Sequence, residues 1–129
     1  MSDLAFKKQR PKYLNLAEIR LPLPGFVSIL HRVSGALLFL ALPALLWLFS
    51  SSLDSPQSFD AYKAVVSQPL VKLVLLGLLW AYLHHFCAGI RYLFLDMHVG
   101  IDRPAARKSA GAVLVVSLML TLIIGVMLW

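Results

Sequence analysis

Charge is scarce in this sequence. Only 14% of its 129 residues are Asp, Glu, Lys or Arg, while 60% are hydrophobic. An ordinary soluble domain is about a quarter charged and roughly half apolar. So small a chain has too much surface for its volume to hide that surplus in a core of its own. A water-soluble domain is thereby excluded, and lipid must cover much of the surface. Cysteine is almost missing as well. Cys87 stands alone within an apolar run, which excludes a disulfide framework or a cysteine-based metal site within the chain and leaves it as a small packing residue. Acidic residues number six against twelve basic ones. The net charge of +6 does not point to nucleic acid, because the Lys and Arg residues flank hydrophobic runs and so act first as a topology signal. The leading MSDLAFKKQRPKYLNL lacks the apolar stretch of a secretory signal and the Arg- and Ser-rich, acid-poor character of a transit peptide. The amino terminus is therefore expected to be mature and cytoplasmic. There is no internal repeat, and the length suits one bundle rather than two domains.

Long apolar runs are what the sequence has instead. Three stretches, at about 26–49, 70–95 and 110–129, are each long enough to span, given that roughly 20 residues cross about 30 Å of hydrocarbon. They are continuous rather than alternating, so helices are indicated over a barrel. The fold class expected is an all-α membrane protein of three transmembrane helices (26–129) behind an amino-terminal segment (1–25). Pro43 is expected to kink the first helix. Pro11, Pro22 and Pro24 argue against one regular helix ahead of it, with room for a short interfacial turn at 14–19. Lys7, Lys8, Arg10, Lys12 and Arg20 crowd the leading segment, and Arg103, Arg107 and Lys108 the second connection. Both are placed in the cytoplasm by the positive-inside rule. The first connection, with Asp54, Asp60 and Lys63, and the carboxyl terminus then lie outside.

Ionisable groups inside spans are costly and by default face an interior, a cavity or a cofactor. Two clusters stand out. In SILHRVSG, Ser28 and Arg32 share a helical face at i, i+4, flanked by His31 and Gly35. A hydroxyl and a guanidinium one turn apart can grip a quinone headgroup, Ser28 donating to a carbonyl oxygen and Arg32 stabilising the charge that develops on reduction. The plainer reading is that Arg32 reaches lipid phosphates and Ser28 bonds back to its own helix. In HHFCAGIRYLFLD, His85, Gly89, Tyr92 and Asp96 form one stripe. A His followed one turn later by Gly suits a flat macrocycle whose iron the imidazole ligates. Arg91 lies about 9 Å further along the axis, near headgroups and propionates. Otherwise His85 makes an interhelical hydrogen bond. His84 shares its own face with Ala88 and Arg91, about 100° away, and geometry alone does not decide between the two histidines. A low-spin b haem takes two axial ligands. Counted along its helix, His31 is shallower than His85, which makes it a propionate partner and sends the search for a second ligand to another chain. His98 falls in a connection and is given no role.

Taken together, KKQRPKYLNL, IRLPLP, SILHRVSG and HFCAGIRYLFLD, in that order and spacing, make the sequence resemble the larger cytochrome b membrane-anchor subunit of bacterial succinate dehydrogenase. The resemblance covers nearly the whole chain. Its H-x-x-x-G-x-R pattern implies His85, not His84, as the haem iron ligand. It implies Ser28 and Arg32 as ubiquinone contacts, with His31 and Arg32 beside haem b. It also implies a flavoprotein, an iron–sulfur subunit and a second small anchor subunit completing a heterodimeric anchor bundle in the bacterial inner membrane. The chain itself would carry electrons without a dehydrogenase site. Tyr92 departs from the pattern, since family members often place a second His there. Two alternatives remain: an anchor of a related fumarate-reducing complex, and a small transporter or assembly factor. The latter leaves the paired His and Arg motifs unexplained and would purify without redox subunits.

Overall fold

A computed structural model describes residues 20–129. The turn expected at 14–19 and the basic residues Lys7, Lys8, Arg10 and Lys12 lie outside the described residues. Four helices follow one another: α1 (Leu23–Leu53), α2 (Pro56–Val66), α3 (Pro69–Asp96) and α4 (Arg103–Leu128). Among the described residues there is no strand. The helices α1, α3 and α4 are long and apolar enough to cross a membrane, and between them they contain all three expected stretches except the terminal Trp129. Pro43 sits inside an unbroken α1, where its missing N–H leaves the Phe39 carbonyl without the usual partner.

Two elements differ from the sequence expectation. The first connection contains a helix rather than an irregular loop. Ser55 caps α2 through a capping box with Ser58, and Pro56 occupies its first turn, the position where a missing N–H costs nothing. Lys63 and Asp60 form an ion pair of 2.7 Å one turn apart along it. Likewise α4 begins at Arg103, seven residues before its apolar run, with Asp102 at the N-cap position and Pro104 in the first turn. Hydropathy marks where lipid begins, not where hydrogen bonding begins, so a charged helical turn outside the membrane escapes it. Between α3 and α4 the chain reverses through His98 and Gly100, both at positive φ. The amides of His98 and Val99 donate to the Leu95 and Phe94 carbonyls, closing the α3 terminus with the crossed bonds of a Schellman turn.

The three long helices pack pairwise. The buried face of α4 is Ala110, Val113, Ser117, Thr121 and Gly125, a stripe of small side chains that lets backbones approach where no hydrophobic force drives helices together. Its hydroxyls are satisfied locally. Ser117 donates to the Leu114 carbonyl at 3.1 Å and Thr121 to the Ser117 carbonyl at 2.7 Å. By contrast α1 buries only Val27 and Ser34 of its 31 residues. Phe39, Leu40 and Trp47 stand outward on it, a surface that only lipid or further helices can cover.

Candidate functional site

The two polar clusters meet where α1 crosses α3. On α1, Arg32 donates from Nη2 to Ser28 Oγ at 3.2 Å, as their i, i+4 spacing requires. Among the described residues the Ser28 hydroxyl does not bond back to its own helix. Its oxygen accepts from a cation while its own proton remains available for an outside acceptor. One turn deeper, Ser34 is buried and donates to the His31 carbonyl at 2.9 Å.

From α3, His85 lays its ring against this segment. Its Nδ1 lies 3.0 Å from the His31 carbonyl oxygen and 3.4 Å from Ser34 Oγ. A carbonyl oxygen can only accept, so Nδ1 carries the proton and Nε2 keeps a lone pair. Gly35 makes the approach possible, because a Cβ there would stand 2.8 Å from His85 Cε1 and 3.2 Å from Nδ1. The His31 and His85 rings stack face to face, with centroids 4.2 Å apart and planes 8° from parallel. This corrects the separation inferred by counting residues: the two imidazoles are in direct contact. Counting from helix ends ignores where tilted helices cross. Stacked face to face, the two rings leave no gap between them for a shared metal ion. Tyr92 tilts against His31 with centroids 5.1 Å apart, and its hydroxyl is buried without a hydrogen-bond partner among the described residues. Asp96 and His98 are exposed and outside this group.

His84 points elsewhere. It is fully buried, tilted against Trp80 at 5.5 Å, and neither ring nitrogen completes a hydrogen bond among the described residues, although the Val27 backbone lies close. Its face continues through Ala88 into the shared core of Val27, Ala110 and Val113. Arg91 belongs to the same interior face. Rather than rising to the headgroups, it donates from Nε to Ser109 Oγ at 2.9 Å and from Nη2 to the Ala106 carbonyl at 3.3 Å, tying α3 to the first turns of α4. Charge-assisted bonds of this kind are worth about 1.5–3 kcal/mol. Ser109→Ala is accordingly expected to lower the stability of the bundle by about 1–3 kcal/mol, read as a lower thermal midpoint in detergent; an unchanged midpoint would show that the tie is dispensable.

Two residues acquire roles that the sequence had not given them. Ser34, the hydroxyl just before Gly35 in SILHRVSG, sits between the His31 carbonyl and His85; its i+3 spacing from His31 was the available signal. Ser109 partners Arg91, and nothing in its local spacing marks it. Of the two histidines, His85 is half-buried while His84 is fully buried. Gly89, one turn beyond, meets only His31 Nε2, at 3.9 Å, where a Cβ would stand. The residues therefore fit a haem edge: an imidazole fixed through Nδ1 to a carbonyl, the bond that metal-ligating histidines typically make with their other ring nitrogen, beside a bare strip of helix.

Three helices able to cross a bilayer, with imidazoles, hydroxyls and a guanidinium gathered where two of them cross, define a multi-pass membrane protein built around a polar site. Residues 7–124 match the model of the succinate dehydrogenase/fumarate reductase transmembrane subunit family, and the chain belongs to that family. It is 34% identical over 122 residues to the succinate dehydrogenase cytochrome b556 subunit of Coxiella burnetii, covering 94% of this chain and 98% of that one. The protein of the same description from Paracoccus denitrificans is 35% identical over 118 residues, 89% of this chain and 91% of the relative. That of Rickettsia felis is 32% identical over 119 residues, 92% of each.

Proposed function

We propose that this chain is the cytochrome b anchor of a succinate:quinone oxidoreductase, holding haem b with a partner subunit and forming part of the ubiquinone-reduction site. The observation that carries the reading is the pairing of two prepared groups on α1 and α3. Ser28 is already polarised by Arg32 at 3.2 Å, and His85 is already fixed by the His31 carbonyl at 3.0 Å.

The chemistry follows from those bonds. Accepting from a guanidinium makes the Ser28 hydroxyl a stronger donor, which it turns toward one carbonyl oxygen of the quinone substrate. As electrons arrive, that oxygen gains negative charge, and Arg32 stabilises it in a low-dielectric site where a fixed cation acts more strongly than in water. On α3, His85 would hold haem b through Nε2, with Gly35 and Gly89 leaving room on either helix. His31 and Arg32 lie beside it to receive propionates. Bound haem b supplies a one-electron carrier next to the quinone. A second anchor subunit would complete the haem site and cover the side of α1 that this chain leaves bare. Electrons enter from a flavoprotein through an iron–sulfur subunit seated on the cytoplasmic face. That face holds the 1–25 segment and the Arg103, Arg107 and Lys108 turn of α4 by the positive-inside rule, while the carboxyl terminus faces the periplasm of a bacterial inner membrane.

Purification in mild detergent tests the assembly. The chain should bring down a flavin-bearing subunit, an iron–sulfur subunit and a second small membrane protein, and the preparation should reduce ubiquinone with succinate. Recovery of the chain alone, colourless and indifferent to quinone analogues, would contradict the reading. A preparation that oxidises quinol with fumarate far faster than it reduces quinone with succinate would move it to the fumarate-reducing side of the family.

A further inference from the structure

A cavity of about 830 Å³ lies away from the His85 site, between the lead-in to α1 and the first turns of α4. Arg20, Arg103 and Arg107 line it, together with apolar Leu21, Pro24 and Ile101. Among the described residues none of the three guanidiniums has a carboxylate partner. The charge here runs against the helix. A helix start carries partial positive charge and favours anions, yet α4 opens with Arg103, Arg107 and Lys108 and has no acidic residue in its first turn. Asp102 at the N-cap position makes no side-chain capping bond and offsets only one of these cations. Three guanidiniums beside uncapped backbone N–H groups, at the membrane end of two helices, form an arrangement that is electrostatically poor when bare and well suited to an anion.

We propose that this cavity binds the phosphate of an anionic phospholipid headgroup. Phosphate chemistry is favoured because guanidinium forks match its oxygens and helix starts donate N–H groups to it. A lipid is favoured over an acidic protein segment because the lining passes from arginines to Leu21, Pro24 and Ile101, the same polar-to-apolar passage that a headgroup and its acyl chains make. The site lies at the starts of α1 and α4, ahead of their long apolar runs, where headgroups would sit once those runs cross a bilayer. It does not depend on the haem or quinone reading.

The test uses the intact assembly, purified with its partner subunits, in phosphatidylcholine nanodiscs with and without phosphatidylglycerol, with bound lipid counted by native mass spectrometry. Each cation near an anionic surface is worth about a fivefold gain in binding. Arg103→Gln with Arg107→Gln is therefore expected to weaken retention of phosphatidylglycerol about thirtyfold, and Arg103→Lys with Arg107→Lys to keep most of it. Should the double glutamine variant fail to assemble, Arg20→Gln, ahead of α1, should still weaken retention about fivefold. Retention equal to the unsubstituted protein in these variants would overturn the proposal. So would full displacement of phosphatidylglycerol by millimolar inorganic phosphate, which would make this a site for a soluble anion. Loss of the iron–sulfur subunit with unchanged lipid retention would assign the arginines to a protein partner and overturn it as well.

Discussion

Arg32→Ala is expected to lower quinone reduction by succinate about a hundredfold, in line with the loss of a single preorganised donor from a site of developing negative charge. Two effects combine. The cation opposite the quinone oxygen disappears, and Ser28 loses the donor that polarises its hydroxyl at 3.2 Å. Assembly should survive, because Arg32 is exposed in this chain and bonds only to Ser28 among the described residues. Dye reduction by the flavoprotein, measured in the same preparation, should stay at its original rate and so separates quinone chemistry from succinate oxidation. Arg32→Lys should recover part of the loss, since it restores charge without the planar fork. Unchanged quinone turnover in Arg32→Ala would remove Arg32 from the site.

The second large effect comes from a single methyl group. In Gly35→Ala the new Cβ would stand 2.8 Å from His85 Cε1. The imidazole cannot swing aside freely, because the His31 carbonyl holds its Nδ1 and the His31 ring covers its face. One of those contacts must break. Overpacking of this kind costs about 1–3 kcal/mol, which corresponds to about a 5- to 150-fold loss of haem affinity, and Gly35→Val should be worse. Haem per assembly, measured as the pyridine haemochrome, reads the effect. Gly125 provides the control. A Cβ there would stand 2.7 Å from a terminal methyl of Leu76, the far end of a flexible side chain that can rotate away, so Gly125→Ala should leave haem content unchanged. Full haem in Gly35→Ala would mean that the close approach of His85 to α1 does not matter for the cofactor.

The contrast between these two glycines shows which parts of the molecule could be seen in its sequence. The three spans were plain, because lipid admits only a few regular structures and forces each to be long and apolar. The Ser28–Arg32 pair was equally plain, since i, i+4 spacing on one helix fixes a shared face without help from the rest of the fold. Helix α2 and the early start of α4 were not found by hydropathy, although Ser55-Pro56 and Asp102-Arg103-Pro104 carried start signals that a search for caps and first-turn prolines would have met. Relations between helices were the least accessible. Periodicity sets His84 and His85 about 100° apart but cannot say which of them looks inward; that was decided by Val27 on α1 and Ala110 on α4, which enclose the His84 face. The stacking of His31 on His85 depends on where α1 crosses α3, a quantity no residue count contains. Arg91 shows the same limit. Its place near a helix end suggested headgroups, whereas Ser109, eighteen positions later, draws it into the bundle.

Reduced-minus-oxidised spectra of two variants, each purified with its partner subunits, bear most directly on the assignment of the α3 face. In His85→Ala the b-type haem bands should disappear or fall to a small remnant while the subunits remain associated. In His84→Leu, which fills the same enclosed space without a ring nitrogen, they should persist at close to full amplitude. Haem lost from His84→Leu and retained in His85→Ala would contradict the account at its centre, because the cofactor would then belong to the interior face and the arrangement at Gly35, Ser34 and His31 would have no part in holding it.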